Sequence, residues 1–271
     1  MLIVGERINT SRKQVAEAAR HRNIIPIWDE ARMQAAAGAH FLDVNAGTFA
    51  EREIENLKWI IKSVRQANDL PLCIDSTDPK VIAEGLSMCG RGMMVNSITA
   101  EKENYTAMLP LIREYECRTV ALCLDDNGIP GGFEDKLKVG FGLVDNLLSD
   151  GVPLDHVYVD PLIMAVSTDQ RSGAVALQVI HEIKRRYPGI HTICGLSNIS
   201  FGLPARRMMN RVFLVAAMAA GLDAVIIDPL DRQMMANLIT ARAVLGNDEY
   251  CMAYISAYRE KKLEPNDKHL P

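Results

Sequence analysis

The stretch Phe41-Leu42-Asp43-Val44-Asn45, followed by Glu51 to Ala67 and then by Leu72-Cys73-Ile74-Asp75, reads as one strand–helix–strand unit. Both flanking pieces are short and mostly apolar, as parallel strands buried on both faces require. The segment between them spaces its apolar residues three and four apart, which marks a crossover helix. The same unit recurs on either side. Further strand candidates are Leu2 to Arg7, Gly92 to Asn96, Thr119 to Leu124, Val157 to Asp160, Thr192 to Leu196 and Ala224 to Asp228, eight in all. Pro79 to Met88, Tyr105 to Glu116 and Ala174 to Tyr187 repeat the helical spacing. Thr77-Asp78-Pro79 supplies a cap residue and then a proline at the first helical position, where its missing N–H costs nothing.

This alternation, with no Pro/Gly/Ser-rich linker, predicts an α/β fold: a single (β/α)₈ TIM barrel over residues 1–271, with a short polar tail from about residue 260. A doubly wound open sheet is the alternative. It would carry Gly-x-Gly-x-x-Gly after the first strand, where Glu6-Arg7-Ile8-Asn9 stands instead.

Composition narrows the class of function. The chain has 271 residues, 48% hydrophobic and 24% charged, with 30 Lys+Arg against 34 Asp+Glu and a net charge of −4. That balance leaves no electrostatic footprint for a nucleic acid. The opening Met1-Leu2-Ile3-Val4-Gly5-Glu6 turns charged too soon for a signal peptide, and Val212 to Leu222 is too short to span a membrane, so a cytoplasmic location is expected. Cysteines at 73, 89, 117, 123, 194 and 251 include no Cys-x-x-Cys pair, and the histidines include no metal-binding pair. Neither a metal centre nor a dithiol site is expected; Cys73, Cys123 and Cys194 read as small buried hydrophobes.

Nearly every strand ends in an acid or an amide: Glu6, Asp43 with Asn45, Asp75, Asn96, Asp160, Asn198 just past the seventh strand, and Asp228. In a (β/α)₈ barrel these positions converge on the C-terminal face, where active sites sit. Any one of them could be a helix cap or a turn residue. So many together would repel or stay unpaired without a ligand to use them. A sugar phosphate would want cations and a glycine nest, which the loops after strands seven and eight lack. A nitrogen heterocycle suits better. The 2-amino-4-oxo edge of a pterin sets a ring N–H beside an exocyclic NH₂, a donor fork that a carboxylate accepts in two parallel bonds.

Gly5-Glu6-Arg7-Ile8-Asn9, Leu42-Asp43-Val44-Asn45, Cys73-Ile74-Asp75-Ser76-Thr77, Val95-Asn96-Ser97, Val159-Asp160-Pro161-Leu162 and Gly195-Leu196-Ser197-Asn198-Ile199-Ser200 together resemble the pterin-binding barrel of cobalamin-dependent methyltransferases. The likeness is to the methyltetrahydrofolate:corrinoid protein methyltransferases of acetogenic one-carbon metabolism and to the folate domain of cobalamin-dependent methionine synthase. It runs in order from Leu2 to about Arg242. The resemblance implies that Asp75, Asn96 and Asp160 contact the pterin and that Gly195 and Ser197 line its pocket. Asn198 matches the amide facing N5, and Arg206, or its neighbour Arg207, matches a basic residue near the folate. Glu6, Asp43, Asn45, Phe201, Ile226 and Asp228 are candidates for the pocket wall. Phe201 departs from the acetogenic pattern, which is polar there, and agrees with methionine synthase, so the subfamily stays open.

The implied substrate is tetrahydrofolate or 5-methyltetrahydrofolate, exchanging a methyl group with the cobalt of a corrinoid in either direction. An N5 methyl has a poor leaving group, so N5 needs a proton or a strong hydrogen bond as its bond to carbon breaks. A fixed donor such as Asn198 meets that need without a matched pKa. The chain has no Asp-x-His-x-x-Gly corrinoid motif, so cobalamin should arrive on a separate corrinoid-binding protein. The family also implies a homodimer, with Phe213 to Ala220 and Met234 to Val244 as candidates for the interface or for packing within the ring. Two rivals share the barrel: a dihydropteroate synthase, which usually sets a basic residue where Ser197-Asn198 stands, and a non-catalytic folate-binding subunit.

Overall fold

A computed structural model describes residues 1–264; of the tail expected from about residue 260, residues 265–271 lie outside the described residues. The parallel strands are β1 (Leu2–Asn9), β2 (Phe41–Asn45), β3 (Leu72–Asp75), β4 (Met94–Thr99), β5 (Arg118–Leu122), β6 (Val157–Asp160), β7 (His191–Thr192) and β8 (Ala224–Ile227). They bond in the order β7-β6-β5-β4-β3-β2-β1-β8. One parallel bridge closes the seam: Gly195 stands opposite Ile226, whose N–H donates to the Cys194 carbonyl at 3.0 Å. Around the strands lie α1 (Lys13–Arg20), α2 (Ile25–Ala36), α3 (Glu53–Arg65), α4 (Pro79–Cys89), α5 (Lys102–Glu114), α6 (Phe133–Ser149), α7 (Ser172–Arg186), α8 (Arg206–Ala220), α9 (Arg232–Val244) and α10 (Met252–Arg259).

The helices form for local reasons and stay for packing. Asp78 caps α4 as expected, its side chain accepting the Lys80 N–H at 2.9 Å, with Pro79 in the first turn. One face of α4 buries Val81, Ile82 and Leu86, each worth about 1.5–3 kcal/mol of transfer free energy. Truncating Ile82 to Ala would cost about 2–5 kcal/mol.

Strand boundaries shift where backbone geometry overrides hydropathy. β4 begins at Met94 because Gly92 is still in a turn at φ 79°. α5 starts at Lys102, before the expected Tyr105, and α3 starts at Glu53 after a short 3₁₀ turn over Gly47–Arg52. β7 is the largest departure. Thr192 to Leu196 was the expected span, but the chain leaves the ladder early and curls into a 3₁₀ turn over Leu196–Ser200.

A side-chain period of two then places the functional layer. Val4, Phe41, Cys73, Met94, Val120, Tyr158, Ile193 and Ala224, one from each strand or its continuation, make a buried cluster that plugs the barrel. Two residues further on, the same inward rows carry Glu6, Asp43, Asp75, Asn96, Leu122, Asp160, Gly195 and Ile226. The polar rim therefore stacks directly above an apolar floor.

Candidate active site

A cavity of about 680 Å³ opens at this end of the barrel. Glu6, Asp43, Asp75, Asn96, Gly195, Ser197, Asn198, Arg206, Arg207, Ile226 and Asp228 lie on its wall. Residues chosen from six strand ends and one helix thus meet in a single space.

Gly5 and Gly195 shape the approach. A Cβ on Gly5 would stand 2.4 Å from Gln34 Oε1, which accepts the Arg7 N–H at 3.1 Å across the irregularity between Gly5 and Ile8. A Cβ on Gly195 would come within 3.3 Å of the Asn198 amide nitrogen. The 3₁₀ turn is tied by the Asn198 N–H to the Gly195 carbonyl at 3.2 Å, while the Asn198 carboxamide itself has no hydrogen-bond partner among the described residues.

Three expected residues stand off the wall. Asn45 is turned onto its neighbour, donating to Asp75 Oδ2 at 3.0 Å and accepting the Gly47 N–H at 2.9 Å, so it orients Asp75 from behind. Phe201 lies outside, 68% exposed, with the Arg206 guanidinium 5.8 Å from its ring centre. Asp160, in the rim row, is buried, accepting the N–H groups of Leu162, at 2.8 Å, and of Gly195. Two accepted bonds still leave lone pairs on a carboxylate for a ligand.

Burial dominates the electrostatics. It pushes the Glu6 carboxyl up to about 7; the Asp228 charge adds to this, and Arg12, Arg206 and the Ser197 hydroxyl oppose it. Asp75 is pushed up to about 6 by burial, against the Asn45 amide. Burial and then the Asp75 charge hold Asp43 well above the usual carboxylate range, and its Oδ1 is buried with no partner among the described residues. Asp228 differs, for Arg7 reaches it at 2.6 Å while clasping Glu30 at 2.5 and 2.8 Å. The two candidate arginines also part ways. Arg206 is tied to Ser200 Oγ at 3.1 Å and the Ser197 carbonyl at 2.8 Å, whereas Arg207 has no polar partner among the described residues.

Asn9, the last residue of β1, Ser11 and Arg12 just after it, and Asn210 on α8 also line the cavity and were not singled out from sequence as site residues. The first three stand at or just past a strand end like the others, which was a usable signal; Asn210, inside a helix, offered none. The wall as a whole sets acceptors inside and cations toward α1 and α8, a cavity suited to a planar donor edge.

The match to the pterin-binding enzyme family covers residues 5–228, and the chain belongs to that family. Along its length it is 38% identical over 267 residues, 98% of each chain, to the methylcorrinoid:tetrahydrofolate methyltransferase of Eubacterium limosum. It is 31% identical over 240 residues to the methionine synthase of Mycobacterium leprae, matching 84% of this chain but 20% of that protein. The dihydropteroate synthase of Xanthomonas albilineans, solved with 7,8-dihydropteroate, superposes with a TM-score of 0.68 over 90% of this chain and 93% of the other. At 17% identity that likeness concerns the fold alone.

Proposed function

We propose that this chain is a methyltransferase that moves a methyl group from a corrinoid on a separate protein to N5 of tetrahydrofolate. The observation that carries the reading is the end-to-end 38% identity to a methylcorrinoid:tetrahydrofolate methyltransferase, on a chain whose polar rim forms one cavity. The whole chain is read as one catalytic domain.

Asp75 and Asn96 take the pterin edge, with Asp160 beneath them and Gly195 and Ser197 on the flank. Asp43 and Glu6 close the acidic side, Ile226 gives an apolar face, and Arg206 and Arg207 stand where the benzoylglutamate tail leaves. Asn45, Asp228 and Phe201 act around this set: the first orients Asp75, the second holds Arg7, and the third sits at the outer edge.

The corrinoid supplies a methyl group on cobalt. As N5 gives its lone pair to that carbon, the carbon–cobalt bond breaks with both electrons left on the metal, and N5 sheds its proton. The Asn198 carbonyl oxygen can accept a hydrogen bond from N5–H in this direction, the proton leaving to solvent, and its NH₂ can donate to N5 in the reverse one. Because the amide is free of internal bonds, no protein contact must break first.

The partner is therefore a corrinoid-binding protein that must reach the open end of the barrel. A homodimer belongs to the same reading, and the two segments offered for ring packing or for an interface are divided between buried and exposed side chains. Phe213, Leu214, Ala217 and Met218 of α8 and Met234, Leu238 and Ala241 of α9 are core residues, while Met208, Val212, Val215 and Val244 are the exposed apolar ones. A cytoplasmic location fits six free cysteines. No helix among the described residues is long and apolar enough to cross a membrane.

Purified protein mixed with a methylated corrinoid protein and tetrahydrofolate tests the reading. Formation of 5-methyltetrahydrofolate supports it. Binding without turnover would leave a folate-binding subunit, and condensation of 4-aminobenzoate with a pterin pyrophosphate would leave a dihydropteroate synthase. Light scattering near twice 30.0 kDa supports the dimer.

A further inference from the structure

Lys136 lies on the buried face of α6, 5% exposed. Its ammonium donates to the Pro161 carbonyl at 2.8 Å and to the Leu162 carbonyl, and it has no ion-pair partner among the described residues. An ammonium in the interior is costly unless it is fully used. Both carbonyls belong to the loop that follows Asp160. Leu162 there is left-handed, at φ 53°, a conformation that costs a branched residue about 1 kcal/mol. The turn aims the Leu162 N–H back at Asp160 Oδ1, 2.8 Å away, while the two carbonyls face Lys136. Lysine and carboxylate thus grip the Pro161–Leu162 peptide from its two ends, the lysine at its carbonyl and the carboxylate at its N–H.

We propose that Lys136 is a positioning residue for pterin binding: through the Pro161 and Leu162 carbonyls, and through its charge, it fixes the place and the ionised form of Asp160. This rests on the reading above that Asp160 serves the pterin. The groups facing the pair are the Cys123 thiol beyond β5, the Cys194 thiol beyond β7 and Asp169 in the β6–α7 loop. Burial pushes both thiols up, Cys123 to about 12, so neither ionises between pH 5 and pH 8. Asp169 and Asp160 favour the charged lysine against its desolvation. Burial pushes Asp160 up to about 6, and Lys136 opposes that rise. Without the lysine, Asp160 would protonate at a higher pH and lose the acceptor the pterin needs.

The experiment is a calorimetric titration of tetrahydrofolate between pH 5.5 and 8 for the wild type, K136M, K136R, D160N and the K136M/D160N pair. Glu6 and Asp75 also titrate in the cavity, so the D160N background isolates the Asp160 contribution. Expected for K136M is a midpoint of affinity loss moved up by about 0.5–1 pH unit, with K136R close to wild type. In the D160N background K136M should move nothing. A K136M profile superimposed on wild type overturns the proposal, and so does the same shift in K136R or in the D160N background. Should K136M fail to fold in a thermal melt, K136Q, which keeps a donor without the charge, must show the same shift. Wild-type affinity in D160N is a different failure: it removes the pterin reading of Asp160 itself.

Discussion

The two ends of the barrel treat carboxylates in opposite ways. At the N-terminal end Asp223, just before β8, accepts from Lys184 at 2.8 Å, from the Thr192 N–H at 2.9 Å and meets His191 at 3.0 Å. Burial alone would raise it, but these partners hold its carboxyl below the ordinary range. At the C-terminal end Glu6, Asp43, Asp75 and Asp160 are as buried or more so, and all are pushed up. The difference is one of partners, not of depth. One end spends its charges on the fold; the other, Asp228 apart, leaves part of each carboxylate's acceptor capacity open, which is what a binding site for a donor edge requires.

The sharpest test of that contrast is Asn198, the free amide of the rim. Asn198→Ala should lower the single-turnover rate of methyl transfer at saturating tetrahydrofolate by about ten- to a thousandfold, the scale of a lost fixed hydrogen bond to a reacting atom. An unchanged rate with a lower melting temperature would make Asn198 a structural residue of the 3₁₀ turn.

Next in size is Asp75. Its replacement by Ala should weaken tetrahydrofolate binding by about 2 kcal/mol, near thirtyfold, through a lost charge-assisted pair of bonds, while the fold survives. Calorimetry of the folded variant checks it. Wild-type affinity would remove Asp75 from the pterin edge.

How much of this contrast sequence could carry depends on the chemistry of each position. Parallel strands are continuous apolar runs, so the eight-fold repeat and the inward acids were legible: Asp75 and Asp160 end a run, and Asp43 stands two residues before the end of its own. Asn198 was legible through Gly195-Leu196-Ser197-Asn198, although β7 itself was drawn too long because hydropathy does not register a 3₁₀ turn. Asn45 and Asp160 show the limit. Both end strands, yet side-chain direction and backbone hydrogen bonds turn one onto Asp75 and tie the other to the N–H groups of Leu162 and Gly195. Lys136 was invisible, since a lysine on an amphipathic helix reads as a solvated one. Asp223 was passed over for the same reason: only the folded chain brings Lys184 and His191 to it.

At the other end, Asp223→Ala should cost stability and spare the site. Removing the shared acceptor leaves Lys184, His191 and the Thr192 N–H without their partner, worth about 1–2 kcal/mol after solvent takes back part of the loss. Chemical denaturation reads the cost, and tetrahydrofolate affinity at pH 8 should stay at the wild-type value. A weakened affinity would couple the two ends and break the comparison.

The smallest effect concerns the sign of the pH dependence. A carboxyl whose folded pKa lies above its unfolded one binds more protons in the native state, so its contribution to stability falls as pH rises between the two values. For Asp75 and Asp160 that window runs from the ordinary carboxylate range to about 6, and for Glu6 to about 7. Asp223, held low, acts in the opposite sense and contributes stability that is lost as pH falls. Asp43, raised and with a buried unpartnered oxygen, belongs with the first group. Asp43→Asn keeps the shape and removes the charge, so it should stabilise the protein by about 1 kcal/mol at pH 8, and by less at pH 5, where more of the wild-type carboxyl is protonated. Urea denaturation at the two pH values measures both differences. An equal effect at pH 5 and pH 8 would mean that Asp43 titrates like an exposed acid, ionised at both values, and that its burial in the rim does not raise it.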